Sequence, residues 1–128
     1  MIDLTNCLRL VKHMMNHELQ LDRMFQALAD GHRRAIVERL THGPRSVSDL
    51  AEPLPISLPA VMQHLAVLEG CGLVTSEKRG RVRKCRLSPE ALARAEGWIT
   101  ARRRFVEHQL SGLAKFLTDE AQGEATDE

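Results

Sequence analysis

Residues 46–87 constrain this chain most, because two capped helix starts, three prolines and a glycine-tipped basic hairpin follow one another there. Ser46-Val47-Ser48-Asp49 opens a first helix as a capping box, a serine hydroxyl meeting an orphan N–H and an acid three residues on reaching back. Val47, Leu50 and Ala51 give that helix one apolar side. Pro53 and Pro55 stop it, since proline removes a backbone donor and disfavours helical geometry in the preceding residue. Ser57 then caps a second helix, with Pro59 in the first turn, where N–H groups lack partners anyway. Two helices joined by a tight turn predict a helix-turn-helix.

At about 100° per residue, Leu58, Val61, Leu65 and Leu68 of the second helix gather on one side. The opposite side carries Pro59, Ala60, Gln63, Ala66 and Val67, with Met62 and His64 at its borders. Small side chains let this face approach another surface closely. Gln63 offers both a donor and an acceptor, as reading an adenine edge requires. Packing against a neighbouring helix would use the same small face, so this segment alone leaves both readings open.

The next stretch bears on that choice. Leu73 to Lys78 and Val82 to Leu87 are strand-like runs around Arg79-Gly80-Arg81, where glycine suits a hairpin tip. Lys78, Arg79, Arg81, Arg83, Lys84 and Arg86 face a single acid, Glu77. Such a run is often only a solvated face. Directly after a helix-turn-helix it is also well placed to lie along phosphates, and the two together predict a winged helix.

Ala27-Leu28-Ala29-Asp30-Gly31-His32-Arg33-Arg34, Ile56-Ser57 through Gln63-His64-Leu65-Ala66-Val67-Leu68, Gly72-Leu73-Val74 and the Arg-Gly-Arg wing resemble the ArsR family of bacterial winged-helix repressors over roughly residues 21–117. The resemblance implies a mainly α fold with a small β-hairpin, assembled as a homodimer through N- and C-terminal helices and bound to double-stranded operator DNA. On it, Ser57, Pro59, Ala60, Gln63 and His64 of the second helix and Lys78, Arg79, Arg81 and Arg83 of the wing are the expected DNA contacts.

Length and composition agree with one domain of 128 residues, 43% hydrophobic and 27% charged. Aromatics at 3% argue against single-strand binding, which needs stacking platforms. The net charge of +1 hides an asymmetry: residues 118–128 hold Asp119, Glu120, Glu124, Asp127 and Glu128 and no base. Without them the rest stands near +6, which suits a polyanion. That acidic end is expected to be a disordered tail. Three irregularly spaced cysteines make no disulfide framework, and no apolar run reaches membrane-spanning length. Asp3, Arg9 and Lys12 interrupt any signal core, so a cytoplasmic protein with no membrane partner is expected.

Residues 1–20 read as a helical extension, with Leu4, Leu8, Val11 and Met15 along one stripe; Met14 and Met15 are alternative starts. His13 and His17 lie four apart on one helix face, as two solvated histidines or as half a metal site. Residues 21–87 form the winged helix: Leu21 to Ala29 is a helix with Met24, Phe25 and Leu28 inward, and Asp30 caps the next, which ends at Gly43-Pro44. Arg33 and Arg34 suit a phosphate contact or an ion pair equally. Cys71 ends the second helix, and strand alternation puts Cys85 on the core side as a small buried filler, with a Cys71–Cys85 redox pair as the alternative.

Ser88-Pro89-Glu90 starts a last helix over residues 88–117, where Leu92, Ile99, Val106, Leu110, Leu113 and Leu117 recur at helical spacing. It is too long and too apolar for one small core to cover, which marks it as a dimerisation helix, widened by Trp98, Phe105 and Phe116. Arg102-Arg103-Arg104 flank that interface. Metal-sensing members of the family carry Cys-x-Cys where this chain has Val47-Ser48-Asp49-Leu50, or histidine and acid pairs in the last helix where it has only Glu107-His108. No metal site and no cofactor carry over, and the resemblance leaves a small-molecule effector unspecified. The competing readings are a protein-interaction module using the same winged helix and, behind it, an enzyme. No nucleophile–base pair or phosphate-cradling loop supports the last.

Overall fold

The computed structural model describes residues 4–125, and of His17, Glu124 and Ala125 the backbone only. The elements in chain order are α1 (Leu4–Leu28), α2 (Gly31–Leu40), β1 (Arg45–Ser46), α3 (Val47–Ala51), α4 (Leu58–Gly70), β2 (Val74–Arg79), β3 (Val82–Leu87) and α5 (Pro89–Ala125). The strands form one antiparallel sheet in the order β1-β3-β2, so the fold is mainly α with a small sheet, a winged helix-turn-helix. The two-residue β1, which pairs Arg45 with Cys85 and Ser46 with Lys84, was absent from the sequence reading. Two residues carry no alternation to detect; pairing with β3 makes them a strand.

Two compact units meet between Ala95 and Glu96, inside α5. In the first, Met24 and Ala27 of α1, Ile36 and Leu40 of α2, Leu50 of α3, Val61, Leu65 and Leu68 of α4 and Ala91 and Ala95 of α5 close on Leu73, Val74 and Cys85. Serine caps start the two central helices: Ser46 Oγ accepts from Asp49 N at 3.2 Å and Ser57 Oγ from Ala60 N at 3.3 Å. Gly80, φ +64°, is the first of two residues at the hairpin tip, and Arg81 has a negative φ; this fits a type II′ turn, whose first position favours glycine. The second unit is the remainder of α5, where Ile99, Val106, Leu110, Leu113 and Leu117 are all at least half exposed.

Several details differ from the reading of the sequence. Residues 4–28 are one helix, without a break near residue 20, because no glycine or proline interrupts them. Phe25 stands at 36% exposure while Ala27 is buried, which turns the inward stripe to Met24, Ala27 and Leu28. Leu58, expected on the inner side of α4, is 54% exposed, because it is the first helical residue and projects beyond the core. Leu92 packs against the core of the first unit, so the exposed stripe of α5 begins at Ile99. Beyond Leu117 the chain stays helical to Ala125 where disorder was expected, as alanine, glutamine and glutamate favour helix without any apolar face; residues 126–128 lie outside the described residues.

Cys71 and Cys85 are both buried, and Cys71 Sγ donates to Leu68 O at 3.3 Å. Burial pushes the Cys85 thiol up, with the charge of Glu69 adding to it and that of Arg83 opposing. A raised pKa keeps the nucleophilic thiolate scarce. Alkylation of the native protein near neutral pH is therefore expected to leave Cys71 and Cys85 unmodified until denaturant is added. Mass spectrometry of the labelled peptides checks this, and rapid labelling of Cys85 in the folded chain would contradict the packing.

Candidate nucleic-acid interface

Helix α4 has two faces of different chemistry. Val61, Leu65 and Leu68 are buried, whereas Pro59, Met62, Gln63, Ala66 and Val67 are exposed and Ala60 and His64 are half-buried. The Ser57 cap and the proline after it fix where the helix begins, and the inner leucines fix its rotation. Gln63 therefore stands on a face with no other long polar side chain.

Strand alternation divides the wing cations into two sets. Cys85 points into the core; Arg83 shares its side of β3, and Lys78, paired with Arg83, shares that side of β2. Arg83 Nε donates to Ser76 Oγ at 2.9 Å, and the side chain borders a cavity of about 100 Å³ with Met62, Ala66 and Glu69 of α4. Arg79, Lys84 and Arg86 occupy the opposite side of the ribbon, where Arg79 pairs with Glu77 at 3.6 Å. Both partners of that pair are exposed, and such pairs contribute only about 0–1 kcal/mol, so Glu77 holds Arg79 weakly. Arg81 is exposed at the tip. Of the four wing residues singled out in the sequence, Arg83 thus adjoins α4, Lys78 shares its side of the ribbon, Arg81 ends the wing and Arg79 faces away. The alternation was legible in the sequence; which side faced α4 was not.

The two arginines left open in the sequence have a structural task. Arg33 Nε donates to Ala27 O at 2.7 Å and Nη2 to Gln26 O at 3.1 Å, while Arg34 Nη1 donates to Leu28 O at 2.8 Å. These carbonyls lie in the last turn of α1, where Gln26 O also accepts from Ala29 N at 3.2 Å, and the cations oppose the negative end of its dipole. Hydrogen bonds to a charged donor contribute about 1.5–3 kcal/mol when partly shielded, which Arg33 is, and less for the exposed Arg34. Arg33 Nη1 also lies 3.2 Å from His64 Nδ1, joining the end of α1 to the border of the α4 outer face. The sequence reading missed this link between residues far apart in the chain.

Asp30, the cap of α2, accepts from His32 N at 2.9 Å and Arg33 N at 3.1 Å. The Arg33 amide is the main cause that holds its carboxyl below the usual value; partial desolvation opposes, and the His32 amide and the charge of Arg33 reinforce it. A carboxyl depressed in the folded state stabilises it fully above the unfolded pKa, and that contribution fades as pH falls through the folded value. Asp30→Asn, which keeps a capping oxygen but removes the charge, should therefore lower the melting temperature at pH 7. The gap should close below about pH 3.8, the unfolded reference. A constant gap in thermal unfolding across pH 2.5–7 would show that the charge plays no part.

His13 is exposed, and the other half of the His13/His17 pair, the His17 side chain, lies outside the described residues. Among the described residues no three histidine, cysteine or acidic side chains come together as a metal site. No described helix is long and apolar enough to cross a membrane.

Comparison with known proteins gives the same picture. A helix-turn-helix domain model matches residues 28–77. The HTH-type transcriptional regulator Rv2034 of Mycobacterium tuberculosis is 48% identical over 99 residues, covering 77% of this chain and 90% of that protein. The crystal structure of an ArsR family transcriptional regulator superposes with a TM-score of 0.67 at 41% identity, covering 70% of this chain and 93% of the other. The solution structure of the homodimeric winged helix-turn-helix DNA-binding domain of Mb0332 from Mycobacterium bovis, a possible ArsR-family regulator, matches with a TM-score of 0.54 at 30% identity, over 70% of this chain and 83% of that one.

Proposed function

The chain belongs to the ArsR family of winged helix-turn-helix transcriptional regulators, and from that premise we propose that it is a homodimeric repressor that reads a palindromic operator in double-stranded DNA. The observation that carries the proposal is the outer face of α4, small except for Gln63 and bordered on the wing side by Arg83, with Lys78 on the same side of the ribbon. In this reading α4 enters the major groove, Ser57, Pro59 and Ala60 bring its first turn against the DNA, and Gln63 and His64 face the bases or the groove edge. Lys78, Arg81 and Arg83 lie along the phosphates, and Arg79 reaches them only by exchanging Glu77 for a phosphate.

Two-fold symmetry comes from the parts of α1 and α5 that lie outside the core. Leu4, Leu8, Val11 and Met15 of α1 and Ile99, Val106, Leu110, Leu113 and Leu117 of α5 are large, apolar and mostly exposed in one chain, as surfaces awaiting a second copy are. A protein that acts this way binds without catalysing, in the cytoplasm where DNA is. Occupying the operator excludes other proteins from it, which is repression.

Selection of binding sites from random duplexes with the purified full chain tests the reading. The expected result is an inverted repeat, bound about a thousandfold or more above random DNA at physiological salt. Recovery of no motif, with equal weak binding to all duplexes, would overturn sequence-specific regulation.

A further inference from the structure

We propose that Arg33 is a positioning residue for His64, holding its imidazole in the Nε2–H tautomer so that the edge of α4 presents a hydrogen-bond donor to an acceptor atom of duplex DNA. The inference rests on the reading of α4 as the groove helix and adds to it a residue that touches no DNA itself.

Arginine can only donate, so the 3.2 Å approach of Arg33 Nη1 to His64 Nδ1 requires a lone pair on Nδ1. The neutral ring then carries its proton on Nε2. Arg33 is not free to turn away. Its planar fork is fixed by Nε to Ala27 O at 2.7 Å and Nη2 to Gln26 O at 3.1 Å, both in the last turn of α1. Those carbonyls are present whether or not DNA is bound, so the ring is oriented in advance.

The other neighbours leave Nε2 available. His32 of α2 stacks obliquely, ring centroids 5.9 Å apart, and Asp30 Oδ1 accepts from the backbone amides of His32 and Arg33. Among the described residues His64 Nε2 has no hydrogen-bond partner, and the half-buried ring lies one residue beyond Gln63. Phosphate oxygens and the purine N7, guanine O6 and thymine O4 atoms all accept hydrogen bonds. The alternative tautomer would turn a lone pair towards them and repel. Arg33 thereby makes His64 a donor at the protein–DNA boundary without spending a charge there.

Full-length protein carrying ¹⁵N-histidine gives the first readout, the tautomer of His64 in long-range ¹H–¹⁵N spectra without DNA. The unmutated chain should show one dominant form with Nδ1 unprotonated. Arg33→Met should relax it to a mixture, and Arg33→Lys, which keeps a donor, should restore it at least in part. A dominant Nδ1–H form in the unmutated chain overturns the proposal, and so does an unchanged tautomer in a folded Arg33→Met; if that variant does not fold, the unmutated spectrum still decides.

The second readout is affinity for the selected operator and for random duplex. His64→Leu should lose about tenfold, and His64→Gln, which retains an N–H, should stay within about threefold. A loss confined to the operator assigns the acceptor to a base, and an equal loss on both assigns it to a phosphate. Normal binding by His64→Leu would sink this proposal alone. Absence of duplex binding by the unmutated protein would sink the functional reading as well, whatever the tautomer.

Discussion

Leu110→Glu combined with Leu113→Glu should convert the protein to a monomer and abolish tight operator binding. The two positions are 61% and 56% exposed in a single chain, so the exchange costs little within one protomer. In a dimer joined along α5 the same carboxylates would be taken out of water against apolar partners. Burying an unpaired charge costs several kcal/mol, and a two-fold interface repeats each substitution, so four charges oppose association. A monomer also forfeits the second half-site, and with it most of the affinity for an inverted repeat. Light scattering and operator binding measure the two consequences, and unchanged circular dichroism shows that the protomer still folds. A dimer persisting in the double variant would place the interface elsewhere, with the exposed apolar stripe of α1 the next place to look.

Gln63→Ala and Arg81→Ala should weaken DNA binding in different ways. Gln63 is exposed on the small face of α4, and a bidentate contact to a base edge discriminates by about 1–3 kcal/mol, or roughly fivefold to 150-fold. Truncating it should cost that much on the selected operator and far less on random duplex. Arg81 ends the wing, and a phosphate contact holds the protein without reading sequence. Arg81→Ala should therefore weaken every duplex alike and reduce the slope of log affinity against log salt by about one per subunit, about two for the dimer. Binding of both variants to both duplexes over a salt series separates these effects. Equal losses on both DNAs for Gln63→Ala would remove it as the reader, and an unaltered slope for Arg81→Ala would leave the tip as solvated surface.

The sequence alone determines much of this protein where its signals are local. The caps at Asp30, Ser46 and Ser57, the first-turn Pro59 and the turn at Gly80 depend on residues a few positions apart, and each is found where those residues call for it. The periodicity of α4 likewise assigned Val61, Leu65 and Leu68 to the core and left Gln63 outside, since one helix geometry relates all four. Residues 4–28 are a local signal of the same kind: their helical spacing runs on without a glycine or proline, and one helix results.

Tertiary structure decided what no spacing encodes. β1 exists only because β3 lies beside it, and Leu92 packs inward because the start of α5 lies against the core of the first unit. Which side of the wing meets α4 separates Lys78 and Arg83 from Arg79, a choice that alternation poses and packing resolves. Arg33 is the clearest case. Its neighbours in sequence suited a phosphate or an ion pair equally, yet it was claimed by the carbonyls ending α1 and by a histidine 31 residues away. A donor fork goes to whichever acceptors the fold brings within reach, and only the folded chain determines which those are.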